Sequence, residues 1–193
     1  MQSLRERIKG EGKHLGRGIL KVDSFLNQQV DPALLREIGQ ELAARLAPLQ
    51  PTKVLTVETS GIIPALVTAA ALGVPVIFAR KHRSVGMPAQ PLVESTLSQQ
   101  EERIVQLMVS PEFLKPGDRV VIVDDFLTTA QTILALVRLA KRSGAQVVGI
   151  GAVIEKAFDH GRDALASLHV PVEALVTVER IEDGNVFFKE TQP

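Results

Sequence analysis

The chain has 193 residues, enough for one domain with a sizeable core, and its 45% hydrophobic and 23% charged residues are those of an ordinary globule. Acidic and basic residues balance at 22 each, so no global field steers the protein to nucleic acid or to an anionic membrane. Cysteine is absent, which excludes disulfides, thiolate catalysis and Cys-ligated zinc and accords with a reducing cytoplasm.

From the N-terminus, Met1 to Lys21 is charged throughout and does not read as a signal peptide. Arg5, Arg7, Lys9, Lys13, Arg17 and Lys21 outweigh Glu6 and Glu11 there, but no aromatic interleaves with them, so the segment reads as a solvated face. Asp31-Pro32 predicts a helix start, with Asp31 as N-cap and Pro32 at the first helical position. Leu35, Ile38, Leu42 and Leu46 follow at helical spacing until Pro48. Lys53 to Glu58 reads as a strand, Thr59-Ser60-Gly61 as a turn, Ile63 to Leu72 as a helix and Val74 to Ala79 as a strand. The apolar run Pro64 to Ala79 is broken at Gly73-Val74-Pro75 and is shorter than the roughly 20 residues of a spanning helix, so no membrane contact is expected.

Between Lys81 and Pro116 the alternation pauses. His82 to Pro91 lacks apolar periodicity, while Leu92 to Leu97 and Ile104 to Val109 fit two antiparallel strands joined by the polar turn Ser98 to Arg103. An insertion of this length is either a surface loop or a lid over an active site. Val120 to Val123 then reads as a buried strand ending in Asp124-Asp125, followed by a polar turn and a helix from Thr129 to Arg142. Val147 to Ile154 (strand), Arg162 to Leu168 (short helix), Val172 to Val178 and Val186 to Phe188 (strands) complete the chain. Strands alternating with helices predict an α/β fold, a parallel sheet flanked by helices.

Two joints carry chemistry. Thr128-Thr129-Ala130-Gln131-Thr132 leads from a strand into a helix, where backbone N–H groups and the positive dipole end suit a phosphate. Asp124 and Asp125 stand just before it and suit a sugar diol or Mg²⁺. Thr59-Ser60-Gly61 is a second joint of the same kind, and Gly61 permits close backbone approach to an anion. Arg80-Lys81-His82-Arg83 closes the next strand and could meet a departing polyanion. Other motifs fail. Gly149-Ile150-Gly151 lies inside a strand and lacks a third glycine at Ile154, no Walker lysine exists, and His14, His82, His160 and His169 show no metal-ligand spacing.

The stretch Val120 to Thr132 resembles the 5-phosphoribosyl-1-pyrophosphate (PRPP) signature of the type I phosphoribosyltransferases, although many members have glycine where this chain has Thr129, Ala130 and Gln131. With Gly18 to Pro32, the match runs over nearly the whole chain and is nearest to xanthine-using members. The resemblance implies a type I phosphoribosyltransferase fold, with residues 1–33 as a hood, 34–170 as core and 171–193 completing the hood, and with a mobile lid loop. It implies transfer of phosphoribose from PRPP to N9 of xanthine, with Mg²⁺ as the PRPP complex and no separate metal site. Asp124, Asp125, Arg80 and Lys81 take the catalytic positions; Thr128, Thr129, Ala130, Gln131 and Thr132 take the 5′-phosphate. Thr59, Ser60 and Gly61 hold the pyrophosphate, and Leu20, Asn27 and Lys156 hold the base, with Phe158 as a wall. It also implies a cytoplasmic homodimer that binds neither nucleic acid nor membrane. Two alternatives stay open: the same chemistry on guanine or hypoxanthine, and a non-catalytic PRPP-sensing transcription regulator. Only about 30 residues precede the first core helix, less than an ordinary DNA-binding domain.

Overall fold

The computed structural model describes residues 1–16, 18–98 and 103–190. The N-terminal segment forms helix α1 (Gln2–Glu11), the short antiparallel strands β1 (Lys13–His14) and β2 (Leu20–Lys21), and a helical turn over Asp23–Asn27. Helix α1 is an addition to the sequence reading. Only Leu4 and Ile8 of its residues are buried, a pair at i,i+4, and tertiary packing rather than periodicity makes the helix.

Helix α2 (Pro32–Leu46) starts as expected: the Asp31 carboxylate accepts from the N–H groups of Ala33 at 2.9 Å and Leu34 at 3.2 Å. After it come β3 (Lys53–Val57), α3 (Ile62–Leu72) and β4 (Val76–Ala79). Strands β5 (Leu92–Ser98) and β6 (Arg103–Val109) pair antiparallel along their length, as the sequence predicts; the turn residues 99–102 lie outside the described residues. The order continues with β7 (Arg119–Leu127), α4 (Gln131–Ser143), β8 (Gln146–Lys156), the short α5 (Gly161–Leu165), β9 (Val172–Glu182) and β10 (Asn185–Phe188).

One six-stranded sheet in the order β10-β9-β8-β7-β3-β4 organises the molecule, parallel throughout except for the β9–β10 hairpin. Side chains alternate across it. Val121 and Val123 of β7 join a core with α1, α2 and α3, while Val120 and Ile122 join a core with α4, α5 and β6. Each large side chain so buried contributes on the order of 1.5–3 kcal/mol. Gly149 and Gly151 lie under α2: a Cβ on Gly149 would meet Leu49 Cδ1 and one on Gly151 would stand 3.1 Å from Leu46 Cδ1. The glycines that fail as a nucleotide fingerprint make room for a helix.

The β5–β6 hairpin docks on α4. Glu94 accepts from Arg138 Nε at 2.9 Å and Arg142 Nη1 at 3.1 Å. The Arg138 hydrogen bond leads the causes that hold the Glu94 carboxyl below its ordinary range. Between the hairpin and β4, Arg80 exchanges two backbone hydrogen bonds with Met108, at 2.9 and 2.8 Å.

Candidate active site

The strand order reverses between β3 and β7: after β3 the chain moves to β4 on one side, and after β7 it moves to β8 on the other. Loops leaving the C-terminal strand ends part at such a reversal and open a crevice. Strand β7 brings Asp124 and Asp125 to this end, and the turn after β3 brings Thr59, Ser60 and Gly61. The two pieces touch. A Cβ on Gly61 would lie 2.6 Å from Asp124 Oδ1 and 2.5 Å from Thr56 Oγ1, so only glycine fits there. Thr56 Oγ1 is buried and has no hydrogen-bond partner among the described residues.

The sequence reading ended the strand at Val123, and the structure corrects this. Asp124, Phe126 and Leu127 go on pairing with Ala152, Ile154 and Glu155, so β7 continues to Leu127. Both acids therefore sit within the sheet, 7% and 6% exposed. Desolvation raises the Asp124 pKa well above the ordinary carboxylate value, and the charge and hydrogen bonding of Asp125 add to it. The Asp125 backbone N–H, donating to Asp124 Oδ1 at 3.0 Å, and the positive Lys81 act in the opposite sense.

Lys81 and Arg80 are fixed to the turn after β3 by a residue to which the sequence reading gave no role. One Glu58 oxygen accepts the Lys81 backbone N–H at 2.6 Å, and the other stands 3.6 Å from Arg80 Nε. The Arg80 guanidinium also lies over the Phe78 ring, 5.7 Å from its centroid. Lys81 thus acts on Asp124 from the β3–β4 side, and Arg80 stands next to it, against Glu58.

Beyond β7, Thr128 and Thr129 lead to Ala130, whose φ of 63° is left-handed. That kink delays helix α4 to Gln131, two residues later than the sequence reading placed it. Ala130 brings no side-chain cap, although its carbonyl accepts from Leu134 N–H at 2.9 Å. The N–H groups of Gln131, Thr132 and Ile133 lie in the first turn and have no preceding helical carbonyl, so they and the helix dipole present an anion site.

The predicted base residues come from two distant segments. Asn27 Nδ2 donates to Asp125 Oδ2 at 3.0 Å, and Asn27 Oδ1 is buried without a partner among the described residues. Lys156, the last residue of β8, lies beneath the N-terminal segment: its Nζ donates to the Gly18 carbonyl at 3.2 Å and stands 2.7 Å from Asp159 Oδ2. It also stands 5.4 Å from the Phe158 ring centroid. Gly18 has a φ of 72°, and a Cβ there would be 3.0 Å from Phe158, so the chain crosses directly over this ring. Leu20 is buried in the α1–α2 core, at 7% exposure. Of the base residues, the structure brings Asn27 to the acid pair and Lys156 to Gly18.

No group of three or more His, Cys, Asp or Glu among the described residues is placed to hold a metal ion. A cleft of about 1030 Å³ between α1 and β10, bordered by Arg5, Lys9 and Arg180, contains none of the predicted site residues. No helix among the described residues is long and apolar enough to cross a membrane.

The model of the phosphoribosyl transferase domain matches residues 22–188. Among named relatives, the xanthine phosphoribosyltransferase of Deinococcus deserti is 46% identical over 190 residues, covering 98% of each chain. That of Limosilactobacillus fermentum is 44% identical, covering 100% of this chain and 98% of the relative. Among solved structures, the adenine phosphoribosyltransferase of Rhodothermus marinus superposes with a TM-score of 0.74 at 27% identity, covering 92% of this chain and 100% of that one.

Proposed function

The chain belongs to the phosphoribosyl transferase domain family, with the type I phosphoribosyltransferase fold, and from that premise we propose that it transfers the 5-phosphoribosyl group of PRPP to N9 of xanthine. The products are xanthosine 5′-monophosphate and pyrophosphate, a purine-salvage reaction. The observation that carries this reading is the contact at the sheet reversal: the Asp124–Asp125 pair meets the Gly61 turn, and the uncapped start of α4 follows on the same strand.

In this reading Thr128, Thr129, Ala130, Gln131 and Thr132 hold the 5′-phosphate on the α4 N-terminus. Binding energy taken far from the reacting carbon fixes the ribose for attack. Asp124 and Asp125 accept from the ribose hydroxyls, and the negative charge carried by the pair favours the positive character that grows at C1 as its bond to pyrophosphate breaks. The bonding pair leaves with pyrophosphate, which Thr59, Ser60 and Gly61 receive through backbone N–H groups and hydroxyls. Arg80 and Lys81, oriented by Glu58, offset its charge. Mg²⁺ enters as the PRPP complex and is part of that substrate. N9 of the purine supplies the electron pair for the new bond to C1, and the proton the imidazole ring gives up passes to solvent or to the departing pyrophosphate. In this reading the β5–β6 hairpin, paired along its described length, serves as the lid that keeps water from the reacting ribose.

The base end supports an oxo-purine. An ammonium is a donor only, so Lys156 suits the oxygen at C6 and opposes the amino group that adenine carries there. Asn27 offers both a donor and an acceptor to the other edge, and Phe158 lies alongside Lys156 as a wall. Leu20 supports the hood from the core side. The proposal includes a cytoplasmic homodimer in which residues 1–33 and 171–193 cover a core of 34–170. Incubation with xanthine, PRPP and Mg²⁺ tests the reaction: xanthosine 5′-monophosphate and pyrophosphate appear in equal amounts. Release of pyrophosphate without nucleotide would make the protein a PRPP hydrolase and defeat the reading.

A further inference from the structure

Lys156 is not left to find its position by chance. Its side chain is 13% exposed, and two fixed acceptors hold its ammonium from opposite parts of the chain. One is Asp159 Oδ2 at 2.7 Å, in the turn that follows β8; the other is the Gly18 carbonyl at 3.2 Å, from the N-terminal segment. The Phe158 ring lies 5.4 Å from the same nitrogen. An ammonium has three donors. With two committed to these acceptors, one direction remains for a ligand oxygen. A lysine with four rotatable bonds and no such partners would sample many positions and discriminate poorly.

We infer that Asp159 is the positioning residue that sets purine specificity: with the Gly18 carbonyl it holds the Lys156 ammonium so that its remaining N–H meets the oxygen at purine C6. The inference rests on Lys156 being the base-recognition group of the proposed reaction. Asp159 itself touches neither substrate. Its side chain is 23% exposed, its ion pair with Lys156 spans three residues in sequence, and the helical turn Ala157–Asp159 carries both it and Phe158. The local sequence Lys156-Ala157-Phe158-Asp159 thus contains the cation, the ring and the anchor in four residues. The N-terminal segment contributes through the Gly18 carbonyl, so the placement of that segment and the orientation of the lysine are linked.

The test is a set of steady-state measurements on the full chain with xanthine and Mg²⁺-PRPP, using Asp159→Asn, Lys156→Ala and the double variant. Asp159→Asn raises the KM for xanthine about tenfold and leaves that for PRPP within about twofold. In the Lys156→Ala background the same change alters the xanthine KM by less than about twofold, because the residue it positions is gone. The Asp159→Asn variant also loses preference for xanthine over adenine relative to the native chain, whereas a merely structural substitution lowers both rates alike. An equal rise in both KM values, or the full tenfold effect retained without Lys156, overturns the inference. Failure of the native protein to make nucleotide from xanthine would instead defeat the proposed reaction, so the two failures are distinct.

Discussion

The two ends of the site are built differently. The proposed PRPP end is made by two strand-turn-helix joints of one sheet, β3 into α3 and β7 into α4, and its geometry follows from strand order. The base end is assembled from pieces far apart in the chain: Asn27 reaches Asp125 across 98 residues and Lys156 reaches Gly18 across 138. In the proposed reading the sheet supports the ribose and its phosphates, and the base pocket joins Lys156, at the end of β8, to Asn27 and Gly18 of the N-terminal segment. Chemistry common to a family sits well on the first kind of support, and substrate choice sits on the second.

Substitutions can break this division. The largest effect is expected for Asp125→Asn, which keeps volume and removes charge at the reacting end: kcat falls about a hundredfold, with substrate KM values little changed. Unaltered turnover would take the carboxylate out of the mechanism. Gly61→Ala drives a methyl group against Asp124 Oδ1 and Thr56 Oγ1, so both PRPP use and stability suffer. The overpacking costs about 2 kcal/mol, read by denaturant melts.

Lys156→Ala sharpens the contrast from the other side. The KM for xanthine rises about tenfold while PRPP binding, followed by calorimetry, stays within about twofold. Equal losses in both would merge the two ends. Asp124 gives a pH test on the free protein. Its folded pKa lies above the unfolded value, so its contribution to stability is present below the unfolded pKa and is lost as pH rises through the folded one. Asp124→Asn removes that loss: at pH 8 the variant melts about 2–4 °C above the native chain, while activity drops. A lower melting temperature at pH 8 would show that the buried charge is well compensated. The smallest effect is expected for Ala130→Gly. Glycine relieves the left-handed backbone at φ 63° but adds unfolded-state entropy, so stability changes by less than about 1 kcal/mol and PRPP use persists.

The same contrast governs what could be read without coordinates. Strands β3, β7 and β8 are legible as apolar runs because parallel strands are buried on both faces, and Asp31-Pro32 marks the start of α2 because capping is local. The hairpin β5–β6 was readable from two apolar runs around a polar turn. The length of β7 was not: Asp124 and Asp125 look like a strand end, yet pairing with β8 extends the strand beyond them. Glu155 shows the same difficulty. It is 4% exposed because Arg162 grips both its oxygens at 2.7 Å and Thr177 donates at 2.9 Å, partners that no local pattern announces. Helix α1 escaped notice because two buried residues amid charges make too narrow a stripe. Glu58 stood next to the Thr-Ser-Gly turn and could have been suspected from the cations at positions 80 and 81, had β3 and β4 been known to be neighbours.

The central claim is that an oxo-purine site has been placed on a PRPP-binding sheet. A single competition measures it: xanthine, guanine, hypoxanthine and adenine at equal concentration, limiting Mg²⁺-PRPP, and chromatography of the nucleotides formed. The account predicts that xanthosine monophosphate dominates and that adenosine monophosphate is the least abundant product. Predominance of the adenine nucleotide would contradict the role given to Lys156. Absence of every nucleotide, with PRPP still bound, would identify a PRPP sensor instead of an enzyme.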